Sequence, residues 1–244
     1  MIRGETGCYP MSCDITYRVL TFWLRLVQTT KLNKISKIMY DCMFKLFMFN
    51  KYSHPWIVYI KATLDNLGLS FIFDCQGKNI NKIWFERTIK LRLHDVYRQS
   101  WSSEMVNHNN CNNYRIFKKS FCFEKYLTDL SWFQCKIMLK FRTRNSYLPV
   151  ARLYYNNKTE NVFDQTQCPL CNELCADEFH YILKCANFKN ERKKYFGNII
   201  NGTNINVLTF QRLMDLSNGG IDKCKKITQF IHIIHSSLKN LHVC

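Results

Sequence analysis

Residues 167–185, QCPLCNELCADEFHYILKC, place four cysteines and one histidine in a short stretch of a chain that otherwise reads as apolar and basic helix. Cys168-Pro-Leu-Cys171 has the C-x2-C spacing that lets two thiolates of one tight turn face one ion. His180 and Cys185 follow as H-x4-C, so the whole unit reads C-x2-C-x8-H-x4-C. Asp177 is placed to cap a short helix over 178–183, with His180 on its first turn and Cys185 just past its end. Donors of this kind and order suit zinc, with Zn–S of about 2.3 Å and Zn–N of about 2.1 Å. Cys175 lies in the connection and rivals the other four. A C-x2-C-x3-C arrangement would crowd three donors into one loop and leave His180 or Cys185 redundant, which favours Cys175 as a spare thiol.

Four protein donors fill a tetrahedral zinc and leave no position for the water that zinc hydrolysis needs, so the expected ion is structural. A zinc deaminase requires an H-x-E element and a P-C-x-x-C element. Here Pro169 lies inside the cysteine pair and no H-x-E occurs. A thioredoxin-like role for Cys168 and Cys171 lacks its strand-to-helix setting. His232 and His235, with two isoleucines between them and no Cys or acid nearby, read as packing residues.

Only 8 Gly and 4 Pro punctuate 244 residues, and few runs alternate as strands do. The expected fold is all-α, an array of packed helices with a small CCHC zinc knuckle in its C-terminal third. Ile15, Val19, Phe22 and Leu26 share one face of a first helix, and Leu32, Ile35, Met39, Cys42 and Leu46 one face of a second. Ser53 is a candidate cap for a third, carrying Ile57, Ile60, Leu64 and Leu67 and stopped at Gly68. Residues 70–76 read as irregular or extended, residues 79–101 as a basic helix, and residues 107–113 as a polar connector. Helices are also expected over 114–120, over 129–143 with Asp129 as N-cap and a stripe of Leu130, Phe133, Ile137 and Phe141, and over 187–200, 204–216 and 222–241.

Lys plus Arg outnumber Asp plus Glu by 35 to 18, a net charge of +17, which calls for a polyanionic partner. The 13 cysteines are odd in number, and those at 42, 75, 122 and 135 sit singly in apolar stretches, as in a reducing compartment. With no export signal visible and no apolar run of roughly 18 residues, the expected location is intracellular, nuclear or cytoplasmic, without a membrane partner.

The steepest charge bias lies between Asp129 and Glu160, where no acid occurs. Lys136, Lys140, Arg142, Arg144, Arg152 and Lys158 are interleaved there with Tyr147 and Tyr154, and Lys184, Arg192 and Lys193 continue the positive charge beyond the cysteine unit. Cations for phosphates beside rings for bases are the combination that RNA and single-strand binders use. These eleven residues are the candidate nucleic-acid contacts.

The run FRTRNSYLPVARLYYNN, then QCPLC, then DEFHYILKCANFKNERKKYF, resembles the carboxy-terminal region of the reverse transcriptase polyprotein of non-LTR (LINE-like) retrotransposons, including its CCHC zinc knuckle. GETGCYPMSCDITYRVLTFWLRL resembles the segment that follows the polymerase core. The resemblance spans roughly residues 4 to 200 and is most specific over 141–196. It implies that Cys168, Cys171, His180 and Cys185 are the knuckle ligands, although Cys175 within the connection keeps the set open. It also implies binding of RNA or DNA. The family's Y/F-x-D-D polymerase element is missing, since no Asp-Asp dipeptide occurs, so no enzymatic activity is expected of this chain. The expected organisation is a helical post-polymerase region over 1–160, the knuckle with a flanking helix over 161–200, and terminal helices over 201–244. Two alternatives are a structural module docking on a polymerase core in trans and a truncated reading frame without function.

Overall fold

Scarce glycine and proline, together with apolar residues recurring at helical spacing, dictate helices, and helices are what form. The structure is a computed structural model describing residues 1–29, 35–49, 54–108, 111–149, 151, 166–174, 176–200, 205–216 and 220–240. The first elements are α1 (Ile2–Thr6), α2 (Met11–Val27), α3 (Ile35–Met48), α4 (Pro55–Asn66), α5 (Ser70–Asp74) and α6 (Lys82–Asn107). Next come α7 (Asn112–Phe117), α8 (Tyr126–Asp129), α9 (Trp132–Arg142), a π-helical turn (His180–Lys184) and a 3-10 turn (Ala186–Phe188). α10 (Lys189–Ile200), α11 (Val207–Met214) and α12 (Gly220–Asn240) complete the order. Among the described residues the one extended pairing is an isolated bridge between Thr6 and Phe123, so the fold is all-α. No described helix is long and apolar enough to cross a membrane.

Two compact units divide the chain, residues 9–100 and residues 1–8 with 101–244. The motif-based boundaries after 160 and 200 both fall inside the second.

In the unit of residues 9–100, α4 carries the expected stripe: Ile57, Ile60 and Leu64 are fully buried and Leu67 nearly so. Its cap is His54, whose Nδ1 accepts from the Trp56 amide, while Ser53 lies outside the described residues. Pro55 occupies the first turn, where its missing N–H costs no helix bond. Gly68 ends the segment at φ +67°, a region that glycine enters without strain. Residues 70–74 are helical rather than extended, because Ile72 and Phe73 turn into the same core.

The first helical face is borne out in part and the second is corrected. α2 buries Leu26 and half-buries Val19 as expected, but it also turns Leu20, Trp23 and Leu24 into the core and leaves Ile15 and Phe22 half exposed. α3 buries Tyr40, with Met43, Phe44 and Phe47 partly covered, whereas Ile35, Met39, Cys42 and Leu46 face outward; Leu32 lies outside the described residues. Each helix has apolar residues on more than one face, so periodicity alone could not select the buried one. The aromatic side chains decide it, through a hydrogen-bonded relay from Trp23 Nε1 to Tyr40 Oη (3.0 Å) and on to Gln76 Oε1 (2.5 Å). Burial pushes the Tyr40 phenol up to about 12, so it stays a neutral donor.

In the second unit α9 lies along α12, burying Met138 and Phe141 with Ile227, Phe230, Ile231 and Ile234. Asp129 ends α8 instead of capping α9. Ser131 is the cap, in a capping box with Gln134, and this turns Phe133 outward from the expected stripe.

Glu5 of α1 is fully buried. Its carboxylate accepts from Arg142 Nε (2.9 Å) and Nη2 (3.1 Å) and from Tyr126 Oη (2.6 Å). Arg142 also donates through Nη1 to the Met214 carbonyl (2.5 Å) at the end of α11, and its guanidinium lies over the Phe117 ring. Gly4 admits this approach, since a Cβ there would sit 2.8 Å from both Trp101 and Tyr114. Burial alone would raise the Glu5 carboxyl, but the charge and hydrogen bonds of Arg142 outweigh it and lower it. The stability this adds is present above the ordinary carboxylate range and lost as pH falls through the lowered value. Glu5→Ala is expected to cost about 3–5 kcal/mol in urea unfolding at neutral pH, the usual penalty for stranding one partner of a buried pair. A loss below about 1 kcal/mol, the range of an exposed pair, would contradict this role.

Candidate metal centre

The first half of the site is a closed loop. The Cys168 amide donates to the Glu173 carbonyl, the Asn172 amide donates back to the Cys168 carbonyl, and the Ala176 amide donates to the Thr166 carbonyl. Closing so tightly requires a left-handed residue, and Asn172 provides it at φ +61°. Asn187 Nδ2 pins the loop by donating to the Leu170 carbonyl (2.8 Å).

The second half is a helical turn. Asp177 Oδ1 accepts from the His180 amide (2.8 Å), the N-cap that the sequence indicates. The turn widens from α into π geometry at His180, and the Cys185 amide donates to the His180 carbonyl (2.8 Å). This i to i−5 bond ties the two ligand residues directly together, in a form that recurs at functional sites.

Cys168 Sγ and Cys185 Sγ are 3.9 Å apart, Cys171 Sγ and His180 Nε2 are 3.3 Å apart, and all four donor atoms lie within 4.8 Å of one another. For a tetrahedral ion with metal–sulfur bonds of about 2.3 Å and metal–nitrogen bonds of about 2.1 Å, these edges should be about 3.8 and 3.6 Å. The residues therefore fit one metal ion. Cys168, His180 and Cys185 are buried and Cys171 is half-buried. His180 Nδ1 lies 3.5 Å from a Glu173 carboxylate oxygen, which orients the ring and leaves Nε2 for the ion.

The thiols differ in how readily they ionise. Burial raises Cys168, but hydrogen bonds from His180 and Tyr181 outweigh it and bring it down to about 6. Cys185, buried and facing Cys168 and Cys171, is pushed up to about 12. A bound divalent ion would offset the repulsion between the Cys168 and Cys185 thiolates.

What holds the unit in place was not anticipated. Arg144 pairs with Glu178 (Nε to Oε1, 3.2 Å), and Asn113 Nδ2 donates to both Asp177 (2.8 Å) and Glu178 (2.7 Å). Arg192 donates to the carbonyls of Tyr181, Ile182 and Cys185 at the end of the ligand-bearing turn. Arg142, Arg144 and Arg192 are thus removed from the candidate nucleic-acid contacts, because their guanidinium groups are buried and committed to carboxylates or carbonyls. The FRTRN run announces the charge of Arg142 and Arg144 but not their carboxylate partners, 137 residues away for Glu5 and 34 for Glu178.

The other candidates divide by position. Lys136, Lys184 and Lys193 are exposed and Lys140 is half-buried. Lys136 lies over the Trp132 ring (4.9 Å), Lys140 over Tyr147 (5.7 Å) and Lys184 over Phe179 (5.1 Å). Arg152, Tyr154, Lys158 and Cys175 lie outside the described residues. His232 and His235 join no metal-ligating group among the described residues, and pack against Phe133 and Phe141 respectively.

Comparison of the chain with family models, with curated proteins and with solved structures gives no match.

Cobalt(II) titration checks the geometry, since tetrahedral thiolate coordination has a distinctive visible spectrum. Cys171→Ser should abolish that spectrum. Asp177→Ala and Glu178→Ala, which touch no ion, should weaken cobalt binding about tenfold or more by loosening the ligand-bearing turn. Unchanged affinity in both would show that the supporting contacts do not position the ligands.

Proposed function

We propose that the chain is a non-catalytic, zinc-stabilised helical module that binds RNA or DNA chiefly through phosphates. Zinc is the proposed ion because three thiolates and one imidazole, mostly buried and closely spaced, form a closed structural donor set. When bound, zinc supplies cross-linking of the Cys168 loop to the His180 turn.

The observation that carries the nucleic-acid reading is the arrangement of lysines beside this unit. Lys193, Lys194 and Lys226 line one shallow depression with Lys223 between α10 and α12, and Lys189 and Lys193 line another. Among the described residues, no acidic side chain lines either. Arg192, at the base of the second, is held by the carbonyls of the metal-binding turn, so the metal unit and the basic face share a support. With Lys136, Lys140 and Lys184 this gives the +17 chain a set of accessible cations. The resemblance to the carboxy-terminal region of non-LTR reverse transcriptases agrees with the reading.

A second reading, docking on a polymerase core or another protein, is favoured by one observation. Ile35, Ile38, Met39, Leu46 and Phe49 along α3 are all exposed, at helical spacing, on the unit of residues 9–100. Binding assays on the intact chain separate the two.

Affinity for a single-stranded RNA oligomer should fall with salt, with a log–log slope of about −0.7 per phosphate neutralised. Replacing Lys193 and Lys194 with Ala should reduce that slope by about 1 to 2 without altering helicity or zinc content. Undetectable binding at low salt, or a slope near zero, would sink the nucleic-acid reading.

A further inference from the structure

Between α9 and α12 the second unit holds a cavity of about 370 Å³, within the roughly 300–1,000 Å³ span of small-ligand sites. Phe133, Tyr147, His232 and His235 give it aromatic walls, and Lys136, Lys140 and Lys239 surround them. Among the described residues, none that lines it is acidic. The rings stand as two edge-to-face pairs, Phe133 with His232 and Tyr147 with His235, each with centroids 5.6 Å apart. Phe133 and Tyr147 remain about half exposed, so much of their aromatic surface is unused by the fold.

His235 adds a feature that packing does not explain. It is 8% exposed, and its Nε2 is buried without a hydrogen-bond partner. Burial, followed by the neighbouring charges of His232 and Lys140, lowers it to about 4, so the ring is neutral at physiological pH. A neutral imidazole offers a donor at one nitrogen and an acceptor at the other. An unsatisfied nitrogen in a cavity wall is where a ligand's polar edge gains most.

Apolar ring surfaces, a neutral hydrogen-bonding group and a rim of ammonium groups together match one chemistry, a flat heteroaromatic ring attached to phosphate. We propose that this cavity receives one unstacked base of a bound single strand, with Tyr147 and Phe133 contacting the base and Lys136, Lys140 and Lys239 holding the flanking phosphates. This rests on the nucleic-acid reading above and adds to it a base-contacting site. The base's π-face is common to all four nucleotides, so the site selects single strands over duplexes with little sequence preference.

The test compares two RNA oligomers of about ten nucleotides, within the site sizes of single-strand binders, equal in phosphate number, one with its bases and one abasic throughout. The intact zinc-loaded chain should bind the base-bearing oligomer about tenfold or more tighter, as expected from one stacked base, with similar salt slopes for both. Tyr147→Ala should remove most of that difference and Tyr147→Trp should keep it, with helicity and metal content unchanged. Phe133→Ala, at a second exposed position, should act in the same direction. Equal affinity of the two oligomers for the wild-type chain would overturn the base site while leaving phosphate binding intact. A difference that survives both alanine variants would place the base elsewhere and overturn it too. No binding of either oligomer at low salt would remove both the base site and the reading beneath it.

Discussion

Two arginines separated by one residue tie the second unit together. Arg142, in the last turn of α9, is buried against Glu5 and the end of α11, and Arg144, just beyond the helix, is buried against Glu178 at the start of the metal-binding turn. A buried guanidinium carries a large desolvation cost, which is tolerable only when carboxylates and carbonyls meet its donors in good geometry. Arg142 meets that condition through Glu5 and the Met214 carbonyl, and Arg144 meets it through Nε and Nη2, which donate to Glu178. α1, α11 and the ligand-bearing turn are thereby held to the end of one short helix, by interactions that fail if any of them moves away.

The metal centre completes this arrangement from the other side. Asp177 and Glu178 serve two structures at once. Asp177 caps the turn that presents His180, and Glu178 accepts the charge of Arg144. Asn113 joins the two carboxylates, and Arg192 takes up the carbonyls left open where the π turn ends. The closed loop around Cys168 and Cys171 and the short turn of His180–Lys184 cannot bury enough apolar surface to be stable alone. Anchoring by buried arginines, together with the cross-link that an ion held by the four donors would add, supplies what a larger core would otherwise provide. Lys136, Lys184 and Lys193, more easily hydrated, are left on the exterior.

Much of this was readable in the sequence, for identifiable reasons. The donor set and the Asp177 cap depend on local spacing, and both Ile57-Ile60-Leu64 and the Gly68 stop have one dominant periodic solution. The face of α3, and half of that of α2, is not legible because aromatic and aliphatic residues occupy several faces, and the Trp23–Tyr40–Gln76 relay helps to distinguish them. Asp129 looked like a cap because it precedes an apolar run. Ser131, with Gln134 three residues later, forms the better reciprocal pair. The most instructive misreading is that of Arg142, Arg144 and Arg192. Positive charge in a sequence records composition, whereas its use depends on carboxylates and carbonyls that only the fold brings near. Sorting cations by burial shifts the candidate surface from arginines to lysines and exposes the cavity that Lys136, Lys140 and Tyr147 share.

The central claim is that Cys168, Cys171, His180 and Cys185 close around a single structural ion. X-ray absorption at the zinc edge of the purified, reduced chain examines it most directly. The expected spectrum has three sulfurs at about 2.3 Å and one nitrogen at about 2.0–2.1 Å, with no oxygen in the shell. Four sulfurs would mean that Cys175 has displaced His180, a coordinated water would mean an open site, and absence of zinc would remove the centre altogether. Any of these three results would contradict the claim.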